Sequence, residues 1–135
     1  MVLPVIILFL FGILEYGRYF MMVHECSNAT IAGANYAAKH TSPIVISGGT
    51  SANTTAAVQN VVNSSIGSAQ LTNPTTTVFM SDSAGNNLGT WTSAGNGSYV
   101  CVQLTGTYNF AVTKLLGLSG SAAQTFSVVR RSEGN

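Results

Sequence analysis

The chain has 135 residues, of which 7% are charged, and its formal net charge is +1. Soluble domains usually carry about 25% charged residues, and a chain with so few basic side chains offers no electrostatic footprint for a nucleic acid. Disorder of the highly charged type is also disfavoured, because 46% of the residues are hydrophobic. At this length we expect one domain together with a stem.

The chain opens with an apolar run, MVLPVIILFLFGIL, that contains no charged side chain. A helix over residues 1–23 would be about 34 Å long, enough to cross the ~30 Å hydrocarbon core of a bilayer. Such a helix must lie in a membrane or against copies of itself. We therefore predict a stem, residues 1–23, that serves as membrane anchor or filament core. The side chains expected to carry assembly are Leu3, Pro4, Ile7, Leu8, Phe11, Leu14, Glu15, Arg18 and Phe20.

Two charged residues interrupt the apolar stem. Glu15 and Arg18 are three residues apart, so on a helix each can partly neutralise the other. A lone charge at the centre of a bilayer costs roughly 2.5–3.5 kcal/mol, and less near an end. We expect the two to be paired, within one subunit or between neighbours. The alternative is a pair that lies at the membrane surface without a special role.

The same helix is expected to continue into a head, residues 24–135, and to end at about residue 40, before the sequence Thr41-Ser42-Pro43. A stripe of small or apolar side chains recurs at helical spacing in this continuation and should lie on a sheet. Its members are Met22, Cys26, Ala29, Gly33 and Ala37.

After a short extended piece and a Gly48-Gly49 turn, residues 51–66 are typical of a second helix, with Thr50 or Ser51 as its cap and Gly67 as its stop. The hydrophobic period then changes to the two-residue period of strands. Residues 110–118 are expected to form a loop or a short helix. The fold class is predicted to be α+β, with a three- to four-stranded antiparallel sheet. The β-rich runs are 75–81, 88–92, 98–108 and 121–131.

The string LPVIILFLFGILEYGRYF, followed by ATIAGANYAA, resembles the N-terminal signature of TadE-like pilins, which belong to the tight-adherence branch of type IV pilus systems. The closing pattern, LTGTYNFAVTKLLGLSG and then QTFSVVRR, is similar to the C-terminal part of that family. Type IV pilins usually carry a glutamate at the fifth mature position, whereas this chain has Val5. Either that glutamate precedes Met1, or this subunit lacks it.

The resemblance implies an exported structural subunit, anchored in the inner membrane before assembly and then part of an extracellular filament. The implied partners are copies of itself or other pilins, a prepilin peptidase and the pilus assembly machinery. One alternative is a minor pseudopilin that stays in the membrane and primes or caps another filament. Another is a membrane-anchored adhesin or binding module.

Cys26 and Cys101 are the only cysteines. Because exported proteins meet an oxidising compartment, a disulfide between the stem helix and a strand is expected. One observation disagrees. If Val100 and Val102 face the helix, Cys101 points to the other side of its strand. Two separate buried thiols are therefore the alternative.

We expect no enzymatic activity, no cofactor and no metal. The spacing of His24 and His40 does not match a metal-binding motif. Asp82 is a single carboxylate, which is too few for a calcium loop, so a turn capped by that carboxylate is favoured. No motif for nucleophilic catalysis is present. Of the glycosylation sequons, Asn96 is the best placed, in a predicted turn.

Overall fold

The longest element of the protein is its first helix, α1, which runs from Leu3 to Lys39. Pro4 lies in the first turn, where its missing N–H costs little. The predicted end of the helix at about residue 40 is confirmed. The computed structural model describes residues 2–41, 45–46, 50–51, 54–67, 71–115, 117 and 120–133.

Two short strands and a second helix follow. Strands β1 (Val45–Ile46) and β2 (Thr50–Ser51) pair antiparallel, and helix α2 covers Thr55–Ile66. The helix starts later than expected because Thr54 is its cap: the Thr54 hydroxyl accepts a 3.1 Å hydrogen bond from the Ala57 amide. Gly67 ends the helix with a φ of 57°, which confirms it as the stop. The expected Gly48-Gly49 turn lies outside the described residues.

The remaining chain forms an antiparallel sheet of four strands in the order β4-β3-β5-β6. A short helix, α3 (Ala111–Leu115), joins β5 to β6. The α+β class and the antiparallel sheet are thus as predicted. The strands are β3 (Leu71–Ser81), β4 (Asn87–Gly89), β5 (Tyr99–Asn109) and β6 (Ser121–Arg131).

Two strand boundaries differ from the expectation. Strand β3 begins at Leu71 because the sheet absorbs Asn73 and Pro74 in a register shift, with Asn73 at a φ of 51°. The predicted run 88–92 is wrong in its second half. Trp91 starts a 3-10 turn, is almost fully buried, and donates from Nε1 to the Thr55 hydroxyl at 3.2 Å.

The core lies between one face of the sheet and the two long helices. The predicted stripe on α1 is confirmed, since all five of its members are buried. At its centre, Gly33 lies so close to α2 that an added Cβ would overlap the Val62 Cγ2 methyl. The sheet contributes a row of buried side chains to the same core, and these are Val100, Val102, Leu104 and Tyr108.

The C-terminal segment holds the far end of α1. The Thr41 and Ser132 hydroxyls are 2.9 Å apart and hydrogen-bonded, and the Glu133 amide donates to the Ala38 carbonyl at 3.1 Å. The head therefore contacts α1 at its C-terminal end as well as along the buried stripe.

Candidate assembly and membrane-anchor site

The first part of α1 is exposed on every side. Every side chain from residue 2 to residue 14, the apolar segment, is exposed. Leu3, for example, keeps 71% of its surface and Leu14 keeps 62%. A helix that is apolar all round is normally buried in a protein core or in a membrane. Here no described part of the head covers it.

The predicted assembly side chains divide into two groups. Glu15 is buried, with 9% of its surface exposed. The others are exposed: Leu3, Pro4, Ile7, Leu8, Phe11, Leu14, Arg18 and Phe20.

Within the described part of the chain, α1 is the helix long and apolar enough to cross a membrane. Only 11% of its most apolar 18-residue window is buried inside the protein. A core helix of a soluble protein would be mostly buried, so this exposure indicates membrane anchoring.

The Glu15 carboxylate is bound by the head. The Tyr108 hydroxyl donates to Glu15 Oε1 at 2.9 Å. The Ala111 amide lies 3.1 Å from both carboxylate oxygens, and the Val112 amide donates to Oε2 at 3.2 Å. Hydrogen bonds to a charged group are the stronger kind, worth about 1.5–3 kcal/mol each. The carboxylate thus ties the stem to the end of β5 and the start of α3.

Aromatic rings pack around this junction. The Tyr19 ring meets the Tyr108 ring edge-on, with centroids 5.4 Å apart, and lies parallel to Phe110 at 6.3 Å. The Tyr19 hydroxyl donates to the Gln124 side chain on β6 at 3.2 Å. Burial, followed by the hydrogen bond to Glu15, raises the pKa of Tyr108, so its hydroxyl stays protonated and remains a donor.

The spacing of Glu15 and Arg18 predicted an ion pair, and the Arg18 charge does attract the carboxylate. Sequence reasoning missed the other partners of Glu15, because Tyr108 and the two amides lie more than ninety positions later in the chain. The available signal was a tyrosine that ends an apolar strand, followed by Asn109 and Phe110 before a new helix.

The contacts of the head with α1 begin at Glu15, which lies inside the predicted stem of residues 1–23. Tyr19 and Val23 pack against the core, and Met22 is buried in it. Residues 15–23 of the predicted stem therefore belong to the folded head, and the free part of the helix is the apolar segment.

The expected bond between Cys26 and Cys101 is not formed in the structure, where both are free, buried thiols. The reason is strand geometry. Cys26 belongs to the core shared with Val100 and Val102, whereas Cys101 lies between them on β5 and faces the opposite side of the sheet. There its neighbours across the ladder are Phe79 and Val129.

The other residues singled out from the sequence lie in turns or contact neighbouring side chains. Asn96 is exposed in a turn, as its glycosylation would require. The Asp82 carboxylate accepts from the Ala84 and Asn86 amides, both at 2.9 Å, and from the Asn86 side chain at 2.7 Å. His40 stacks on Tyr36. Among the described residues, no cluster of three or more His, Cys, Asp or Glu side chains could hold a metal.

Comparison with known proteins gives one match. Residues 1–35 fit the model of the TadE-like protein family. The N-terminal segment is TadE-like. This confirms the resemblance seen in the first helix, while the likeness of residues 104–131 stays a prediction. No curated protein and no solved structure matches the chain.

The TadE-like segment coincides with the exposed and junction parts of α1 and ends four residues before the helix does. It therefore contains the apolar segment, Glu15 and the stripe as far as Gly33. The likeness of this segment to the TadE-like family indicates an association with the Tad pilus and its machinery.

Proposed function

We propose that the chain is a structural subunit of an extracellular, type IV pilus-like filament, assembled by packing of its N-terminal helices. The observation that supports this is the apolar segment, which the described head leaves uncovered on every side. Full burial of a Leu, Ile or Phe side chain is worth about 1.5–3 kcal/mol. The apolar segment holds nine such side chains, which supply ample energy for association, first with the membrane and then with other copies.

The accompanying roles follow from this proposal. The subunit acts without enzymatic activity and without a cofactor. It is exported, processed by a prepilin peptidase and handed to the pilus machinery. Its neighbours in the filament are copies of itself or other pilins.

A second candidate is a minor pseudopilin that stays in the membrane. One observation favours it. Glu15 is the only carboxylate of the predicted stem, and its hydrogen bonds go to Tyr108 and to the amides of its own head. A charge engaged in this way is less available for a contact between subunits.

The test compares two leucines of equal exposure. Leu8 in the apolar segment and Leu88 on β4 both keep 58% of their surface exposed. Leu8→Gln and Leu88→Gln are expressed in the native host, and surface filaments are examined by electron microscopy. We expect regular filaments with the Leu88 variant and few or none with the Leu8 variant. If the unmodified chain is recovered only from the membrane fraction, the pseudopilin role is supported instead.

The forces that hold the subunits together can be tested on the same filaments. Apolar contacts respond little to ionic strength, whereas contacts between exposed charges are screened. We expect the filaments to survive molar sodium chloride and to dissolve in detergent. Disassembly by salt alone would contradict cohesion through the apolar segment.

A further inference from the structure

Two grooves flank Glu15 where the stem meets the head. One, of about 360 Å³, is lined by the stem and by α3, with Phe11, Leu14, Glu15, Arg18, Ala111 and Val112. The other, of about 310 Å³, lies on the opposite side of the carboxylate and is lined by Gly12, Glu15, Tyr16, Tyr19, Phe110 and Val112. Their walls are mainly apolar. Beside Glu15 and Arg18, the surface of the apolar segment thus continues onto the head.

The polarity of the helix indicates where lipid must end. Residues 2–14 are exposed and carry no charge, and Glu15 is the first charged residue after them. Lipid that covers the apolar segment gains free energy up to Leu14 and loses it where a charge would enter the hydrocarbon. The boundary of the hydrocarbon on the side of the head therefore lies close to Glu15, and the apolar segment, about 20 Å of helix, reaches from it into the ~30 Å core.

Glu15 also determines the height of the head above that boundary. Its carboxylate is hydrogen-bonded to Tyr108 and to the Ala111 and Val112 amides, so these residues lie at the same level as the boundary. The head base, residues 109–112, includes an exposed Ala111 and a half-buried Phe110 and Val112. Lys114, on the same short helix, is exposed and positively charged, as suits a position beside anionic headgroups.

We propose that the head base lies on the lipid surface, with acyl chains of adjacent lipids filling the two grooves beside Glu15. The head is then seated on the membrane at a fixed height and does not swing freely above it. The observation that favours lipid over a second copy of the chain is the placement of charge: none lies along the apolar segment, and the exposed Lys114 lies on α3 at the level where the hydrocarbon would end. This inference rests on the proposed membrane anchor.

The experiment uses tryptophans as depth probes in the full-length chain. Ala111→Trp and Val112→Trp place the probe in the head base, and Ile7→Trp places it in the apolar segment. Leu88→Trp is the control, because β4 pairs with the end of β3 opposite the head base, about 30 Å away along the strands. Trp91 is present in every variant, so the unmodified chain supplies the background.

Each variant is placed in vesicles of phosphatidylcholine with a minor fraction of phosphatidylglycerol, either without bromine, with bromine near the start of the acyl chains, or with bromine near their middle. We expect about a twofold loss of the added emission at positions 111 and 112 with the shallow bromine, and at position 7, about 12 Å deeper along the helix, with the deep bromine. Leu88→Trp should show no loss.

The outcomes separate the inference from the anchor on which it rests. Quenching at position 7 without quenching at 111 or 112 would overturn the seating of the head while the anchor stands. No quenching at position 7 would overturn the membrane anchor, and the seating with it. A third outcome is that bromine leaves the emission of the Ala111→Trp variant unchanged and that this tryptophan becomes shielded from solvent only when copies assemble. It would show that a second copy fills the grooves.

Discussion

The Tyr108 hydroxyl lies 2.9 Å from Glu15 Oε1, across ninety-three positions of the chain. This hydrogen bond joins the end of the central strand β5 to the point where α1 leaves the head. The junction between stem and head is therefore a specific contact with its own hydrogen-bond donors and acceptor.

The first prediction concerns this pair. Tyr108→Phe should lower the free energy of unfolding by about 1.5–3 kcal/mol, because it removes a hydrogen bond to a charged group. In a double-mutant cycle with Glu15→Gln the two effects should not add, since Tyr108→Phe removes the donor of this hydrogen bond and Glu15→Gln removes the charge that strengthens it. Denaturant unfolding in detergent micelles, followed by Trp91 fluorescence, measures both. Tyr16→Phe, at an exposed tyrosine of the stem, is the control and should be neutral. Simple additivity would show that Tyr108 and Glu15 act independently.

The second prediction concerns where the head begins. A fragment of residues 15–135 should be more stable than one of residues 24–135, since the shorter fragment lacks Glu15, Tyr19 and Met22. Loss of one buried methionine side chain alone typically costs about 2–5 kcal/mol. Thermal unfolding of the two fragments, followed by circular dichroism, makes the comparison. Equal midpoints would mean that the stem contacts contribute nothing to the head.

The third prediction compares two glycines of α1. Gly33→Ala should destabilise the head by about 1–3 kcal/mol, because the new methyl overlaps Val62 in a packed interface. Gly17→Ala is the matched control. An added Cβ there meets nothing within 4 Å, and alanine favours a helix over glycine by about 1 kcal/mol. Unfolding midpoints in micelles should therefore move in opposite directions. If the Gly17 variant is destabilised in filaments but not in micelles, Gly17 lies at a contact between subunits.

The fourth prediction is that the two cysteines are separate thiols. Burial raises the pKa of Cys101, so both reactivity and access are low in the folded protein. A thiol reagent should modify neither cysteine quickly in the native state and both after unfolding without reductant. Mass spectrometry counts the modified residues. An unfolded chain that takes up no reagent would establish the disulfide.

The fifth prediction concerns the turn after β3. The Asn86 side chain, followed by the Asn86 amide, lowers the pKa of Asp82 below its ordinary value. A lowered pKa in the folded state means that the charged form stabilises the turn. This stabilisation is present above the ordinary aspartate range and is lost as the pH falls through the lowered value. The Asn86 amide resonance should follow that titration in nuclear magnetic resonance spectra. Asp82→Asn should abolish the response, and a response that persists would assign it to another group.

Much of the fold could be predicted from local pattern. The helical spacing of the stripe from Met22 to Ala37 fixed the buried face of α1, and the β-rich runs located the three long strands. The Thr54 cap and the 3-10 turn at Trp91 were missed, because neighbouring hydroxyls compete as caps and because burial of a tryptophan is decided by tertiary packing. The largest omission was the set of partners of Glu15. Its near neighbour Arg18 could be found from spacing, whereas the contacts with Tyr108 and the α3 amides depend on how the whole sheet packs.

Helix α1 is unbroken for 37 residues, which corresponds to about 56 Å of rod. No hinge or linker separates its uncovered part from the part held in the core. A pull on the stem is therefore transmitted directly to the head, where the helix lies between the Glu15 junction and the contact of Ala38 with the C-terminal segment. To yield, the helix would have to slide along the sheet and break many contacts at once, so the subunit is built to bear load in shear.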